Sequence, residues 1–194
     1  MIDAQALLAD LQTHHIEGIA REGNTPFTCP LITPLNDNLW QGGCIQGVDL
    51  QGYFKHIISL YPWERFNPGG DLDSFTEVRL YDGPRVPDEA QLYALARWIN
   101  LCKGHGRTLV HCQAGLNRSG LLTGLSLVLD GVEPRDAIAY TCGRNGLPRS
   151  CVTKPLNSGY WSIHHDRIQC LFCRVLGCLY RRLPDGMLLG GETA

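Results

Sequence analysis

The chain has no uncharged run of about 18 residues, so no transmembrane helix is expected. Its first residues, Met1-Ile2-Asp3-Ala4-Gln5, carry neither a basic stretch nor a long apolar core, and no signal peptide is read there. The 9 cysteines (Cys29, Cys44, Cys102, Cys112, Cys142, Cys151, Cys170, Cys173 and Cys178) are odd in number and follow no regular framework. That argues against a secreted disulfide scaffold, and a reducing cytoplasm is the simplest location. The formal net charge of -2 supplies no global basic field, so a nucleic-acid partner would have to rely on a local patch. There is no internal repeat and no low-complexity tract. What is present is 194 residues, 44% hydrophobic and 19% charged, which suits one globular domain with a core of ordinary size.

The informative stretch runs from His111 to Gly120: His111-Cys112-Gln113-Ala114-Gly115-Leu116-Asn117-Arg118-Ser119-Gly120. Apolar runs flank it, Thr108-Leu109-Val110 before and Leu121 to Leu129 after. The pattern reads as strand, tight loop, helix. A helix N-terminus presents backbone N–H groups and the positive end of its dipole, which together favour an anion. Gly115 lets the backbone curl so that N–H groups converge as a nest. Arg118 adds a planar fork able to grip two phosphate oxygens at once. Cys112 lies at the base of this cradle, where positive ends favour the thiolate. The residues Gln113, Ala114, Gly115, Leu116, Asn117 and Arg118 are the expected phosphate-binding set.

This His-Cys-x-x-Gly-x-x-Arg-Ser pattern resembles the signature of the cysteine-dependent protein tyrosine phosphatase superfamily, and its form is similar to the dual-specificity branch. The resemblance implies an α/β fold: a single domain with a central, mostly parallel β-sheet flanked by helices, the phosphatase loop lying between a central strand and a buried helix. It implies hydrolysis of phosphate monoesters through a cysteinyl-phosphate, without metal or other cofactor. Cys112 would be the nucleophile and Arg118 the oxyanion fork. His111 would orient the loop from its base and help lower the thiol pKa. Ser119 would hydrogen-bond the sulfur when it leaves in the second step.

The general acid must come from elsewhere in the chain. Asp82 ends an expected strand at a Gly83-Pro84 turn, and its separation from Cys112 resembles that between acid and nucleophile in the dual-specificity branch. It would lie beside the nucleophile if the two strands are parallel neighbours. Asp88 competes, but its place after Pro87 and before a helix is that of a cap. Asp71 and Asp73 are more distant candidates. The tyrosine-specific branch carries Trp-Pro-Asp, whereas this chain has Tyr81-Asp82-Gly83-Pro84.

The expected substrate is a phosphorylated protein, on phosphotyrosine and phosphoserine/threonine. Asn117 before Arg118 resembles RNA 5′-triphosphatase relatives, so that activity or a nucleotide phosphatase is an alternative, and only it would bring a nucleic-acid partner. No lysine lies between Cys112 and Arg118, which disfavours phosphoinositides. A non-catalytic phosphate-binding module is a third reading. The oligomeric state is not legible.

Along the chain, residues 4–20 read as an amphipathic helix through Leu7, Leu8, Leu11 and Ile19, with Asp3 as a cap. The adjacent His14 and His15 cannot share one helix face, which makes a metal site there poor. Leu31 to Pro34 and Asn38 to Gly43 read as short strands around a turn; Leu39-Trp40-Gln41-Gly42-Gly43 resembles an early dual-specificity segment. His56 to Leu60 is a buried strand, and 61–73 a long loop that in this family shapes the rim of the site. Thr76 to Tyr81 alternates as a half-buried strand. A helix runs from about Asp88 to Cys102, with Leu92, Leu95, Ala96 and Ile99 as its apolar face. Another starts at Glu133-Pro134. Leu156-Asn157-Ser158-Gly159-Tyr160 resembles a late family element.

These elements divide the chain into a lead-in over 1–27, a catalytic domain over 28–162 and a helical tail over 163–194. Arg167, Arg174 and Arg181 would make a basic stripe on the tail. His164, His165, Cys170, Cys173 and Cys178 form no complete zinc pattern.

Overall fold

A computed structural model describes residues 4–19, 26–81 and 88–143. The first helix, α1 (Ala4–Thr13), is followed by a hairpin of β1 (His15–Ile19) and β2 (Pro26–Pro30). Then come β3 (Ile32–Pro34), β4 (Leu39–Gly42), β5 (His56–Ser59), β6 (Ser74–Glu77), α2 (Glu89–His105), β7 (Thr108–His111), α3 (Arg118–Leu129) and α4 (Pro134–Gly143). The main sheet has the order β3-β4-β7-β5-β6. Only the β3–β4 pair is antiparallel; β4–β7, β7–β5 and β5–β6 run parallel. This is the expected mostly parallel α/β arrangement. Among the described residues no helix is long and apolar enough to cross a membrane.

The central strands are fully buried, as parallel strands covered on both faces must be. Successive residues serve opposite faces. Leu39, Ile58 and Val110 pack with Leu92, Ile99, Leu121 and Leu125 of α2 and α3. Trp40, Ile57 and Leu109 pack on the other side with Leu7 and Leu11 of α1 and with Tyr53, Phe54 and Phe66. Trp40, Tyr53 and Phe54 meet edge to face. Gln41 follows Trp40, so alternation turns it toward α3, where its carboxamide meets Thr123.

Two sequence expectations need correction. The helix expected over 4–20 stops at Thr13, whose hydroxyl donates to the Asp10 carbonyl 2.6 Å away. Residues 15–19 instead pair antiparallel with 26–30, in register His15 to Pro30. That pairing lays Ile16 against the apolar cluster on the α1 side of the sheet. The strand expected over 76–81 runs over Ser74–Glu77, because its partner β5 spans only His56–Ser59. The long loop after β5 is tied back: Asn67 exchanges backbone hydrogen bonds with Val48 and Leu50, and Phe66 is buried. Leu156 to Tyr160 and the whole tail over 163–194, with His164, His165, Cys170, Cys173 and Cys178, lie outside the described residues.

Candidate active site

β7 is central, flanked by β4 and β5, and at its carboxyl end the chain turns through residues 112–117 into α3. In open parallel sheets the crevice beyond the strands' carboxyl ends is the place for a ligand. Cys112 is 1% exposed and lies at the bottom of this turn. Its backbone N–H donates to the Gly42 carbonyl (3.1 Å), which continues the β4–β7 ladder one residue past the strand. The Ser119 hydroxyl, in the first turn of α3, stands 3.3 Å from the Cys112 sulfur. Thiol, hydroxyl and helix N-terminus therefore meet at one buried point.

Gly115 has φ +77°, and a β-carbon there would fall 2.5 Å from the Gly43 backbone nitrogen. Only glycine accommodates both the left-handed backbone and that approach. The loop's outer carbonyls are held from outside. Gln113 accepts from the Cys44 N–H at 3.0 Å, Ala114 from the Cys29 thiol at 3.3 Å, and Gly115 from Gln41 Nε2 at 2.7 Å. These partners carry no motif of their own. Gln41 and Gly43 lie in a segment that resembles the family, but their contacts with the loop had no sequence signal.

Arg118 is buried, and its Nη1 donates to the carbonyls of Leu60 (3.4 Å) and Leu80 (3.2 Å). Those contacts tie the loop to the ends of the β5 and β6 segments. The guanidinium also lies 5.4 Å from the Tyr61 ring centroid. Tyr61 is next to Trp63 (5.0 Å between centroids), and Arg79 sits over Trp63 at 5.3 Å. The rim beside Arg118 is thus an aromatic wall, with Trp63 55% and Tyr81 70% exposed.

His111 is buried with its Nδ1 lacking a hydrogen-bond partner, and its ring stands edge-on to Phe66. Burial pulls its pKa down to about 4, against a hydrogen bond to the Cys112 backbone that acts the other way. At neutral pH it carries no charge. A cationic imidazole is therefore not what acts on the thiol near pH 7. Burial, reinforced by the charge of Cys112, pushes the Cys29 thiol up to about 11. Burial first, then Glu64 and Cys112, push Cys44 up to about 12. Both are neutral thiols near pH 7, which leaves Cys29 able to donate to Ala114.

Three of the candidate acids, Asp71, Asp73 and Asp88, lie among the described residues. Asp88 caps α2, accepting from the Ala90 N–H at 3.0 Å. Asp73 immediately precedes β6 and is bonded to Lys55 just before β5, so it marks the amino end of these strands. That is a strand's length, about 13 Å, from their carboxyl ends, and Asp71 precedes it by two residues. Asp82 lies outside the described residues, but Leu80, two residues before it, is bonded to Arg118. The strand leading toward Asp82 is parallel to β7 as expected, yet not its neighbour, because β5 lies between them.

No family model matches the chain, and no curated protein matches it. Solved structures do. The human tyrosine phosphatase-like serine/threonine/tyrosine-interacting protein superposes with a TM-score of 0.52 at 20% identity, over 77% of this chain and 95% of that one. DUSP15 gives 0.48 at 23% identity, over 58% and 74%. TpbA of P. aeruginosa in complex with phosphotyrosine gives 0.46 at 17% identity, over 57% and 71%. The chain therefore shares the fold of that tyrosine phosphatase-like protein.

Proposed function

We propose that this chain is a cysteine-dependent phosphatase that hydrolyses phosphotyrosine and phosphoserine/threonine in proteins. The observation that carries the reading is the buried Cys112–Ser119 pair at the N-terminus of α3, under a loop that only glycine at 115 allows. Positive helix ends and Arg118 favour a bound phosphate over the sulfur.

In the first step the Cys112 thiolate attacks phosphorus and the bond to the leaving oxygen breaks. Asp82 protonates that oxygen as it departs. In the second, water gives a proton to Asp82 and attacks phosphorus. The S–P bond breaks and the thiolate returns, stabilised by the Ser119 hydroxyl. Arg118 and the loop N–H groups meet the charge on the equatorial oxygens in both steps.

The wall of Tyr61, Trp63 and Arg79 supports a polypeptide substrate, since Tyr, Trp and Arg are the side chains that dominate protein contacts. A binding role without turnover is the second reading, favoured by the name of one structural neighbour, an interacting protein that is phosphatase-like.

Turnover of para-nitrophenyl phosphate in EDTA separates the two. The expected result is hydrolysis by the wild type, none by Cys112→Ser, and retained phosphate-ester binding by the variant. A wild type that binds a phosphopeptide but turns over nothing would replace the enzyme by the binding module. Substantial turnover by Cys112→Ser would remove the covalent mechanism.

A further inference from the structure

A glutamine at a fully buried position of a central strand calls for a reason, because an amide costs free energy in a core unless both its ends are bonded. Gln41 is 0% exposed in β4. Its Nε2 donates to the Gly115 carbonyl at 2.7 Å, and its Oε1 lies 2.9 Å from the Thr123 hydroxyl, whose proton it shares with the Ser119 carbonyl, also at 2.9 Å. The orientation of the amide is determined by chemistry: a carbonyl can only accept, so the nitrogen must face Gly115. The same side chain covers the first turn of α3, where a β-carbon on Gly120 would meet Nε2 at 3.3 Å.

Gln41 thus joins three pieces of the site: the strand beside β7, the crest of the loop at its left-handed glycine, and the helix that carries Arg118 and Ser119. A trans peptide is planar, so its C=O and the following N–H point in opposite directions. A Gly115 carbonyl drawn outward to Gln41 turns the Leu116 N–H the other way, toward the concave side of the loop.

We propose that Gln41 is a positioning residue for the phosphate loop, holding the Gly115–Leu116 peptide in the orientation that presents the Leu116 N–H to an oxyanion. This rests on the phosphatase reading of the loop. Thr123 supports it by anchoring the other end of the carboxamide. The role is distinct from packing: a methionine of similar volume fills the same space and supplies no donor.

The test uses vanadate inhibition as a readout of oxyanion binding, alongside kcat, KM and melting temperature, on the full chain. Gln41→Met should weaken vanadate on the order of 10-fold, the cost of one misplaced donor to a charged group. Gln41→Glu should do so in a pH-dependent way. Once ionised, its carboxylate opposes the Gly115 carbonyl, whereas the protonated acid can donate to it, so vanadate affinity relative to wild type should recover as pH falls. Thr123→Val, which leaves the donor in place, should give a smaller loss and guards against a Gln41 variant that fails to fold.

Wild-type vanadate affinity in folded Gln41→Met would overturn the role, as would a Gln41→Glu deficit independent of pH. If the Gln41 variants do not fold, wild-type affinity in Thr123→Val would overturn it too. A wild type that neither bound vanadate nor turned over an aryl phosphate would overturn the phosphatase reading itself, and the role with it.

Discussion

The Ser119 hydroxyl stands 3.3 Å from the Cys112 sulfur, and both residues are buried where β7 gives way to α3. A hydroxyl in that place has its largest effect when the sulfur carries negative charge, which happens as it leaves phosphorus. Ser119→Ala should therefore slow breakdown of the cysteinyl-phosphate more than its formation. Rapid-quench kinetics on para-nitrophenyl phosphate should show a burst of nitrophenol and a trapped phosphoenzyme. Equal slowing of both steps, without a burst, would assign Ser119 to the loop's shape alone.

Arg118 is buried, with Nη1 on the Leu60 and Leu80 carbonyls and its guanidinium beside the Tyr61 ring. Lysine supplies charge without the planar fork. Arg118→Lys should lose on the order of 10²-fold or more in kcat/KM, as removal of an oxyanion donor does. Steady-state kinetics near wild type would leave the arginine a purely structural role.

Two thiols near the site are held protonated. Cys29 and Cys44, with pKa values pushed to about 11 and about 12, stay neutral across the physiological range. Only the thiolate reacts, so neither should compete with Cys112 near pH 7. Cys112 is itself buried, so reagents must enter through the cradle; peroxide and iodoacetate are small enough to do so. Brief treatment at pH 7 followed by mass spectrometry should find Cys112 modified first, and bound phosphate should protect it. Dominant modification of Cys29 or Cys44 would contradict the assignment.

His111 links the site to pH through stability. Its pKa, about 4 in the folded protein, lies below the ordinary 6.5, so the unfolded chain binds the proton more readily. The neutral ring's contribution is complete above pH 6.5 and is lost as pH falls through 4. Thermal unfolding of wild type and His111→Gln should differ in slope over that window, the wild type falling more steeply. Parallel curves would mean that His111 is not held neutral by burial.

Much of the fold around the loop is legible in the sequence, and the reason is local. From Thr108 to Leu129 the strand, the loop glycine, the arginine and the buried helix are contiguous, so their arrangement follows from short-range rules. The misread parts depend on distant partners. Residues 15–19 continue a helix-like apolar spacing from Leu7 and Leu11, but become a strand because 26–30 are available to pair. Gln41 and Cys29 reach the loop across 74 and 85 residues of chain, and nothing in their own neighbourhoods announces it. The charge state of His111 was equally hidden, since it depends on how completely the core closes over a strand end.

The last prediction concerns the proton. Asp82 is proposed as the acid from its spacing to Cys112, and Arg118 binds the carbonyl of Leu80, two residues before it. Asp88 already has a complete local role, capping α2 through the Ala90 N–H. A general acid matters most when the leaving group is poor. Asp82→Asn should slow hydrolysis of phosphotyrosine or an alkyl phosphate by roughly 10²–10⁴-fold. It should slow an activated aryl phosphate far less, because that leaving group departs without a proton. The falling limb of the pH–rate profile at high pH should flatten as well, since that limb reports the acid's proton. Asp88→Asn should leave both substrates nearly unaffected, because asparagine caps a helix about as well as aspartate. The measurement is kcat/KM for both variants on both classes of substrate. A large effect at Asp88 with a small one at Asp82 would move the acid to the start of α2, and would mean that the cap hydrogen bond gives way when substrate binds.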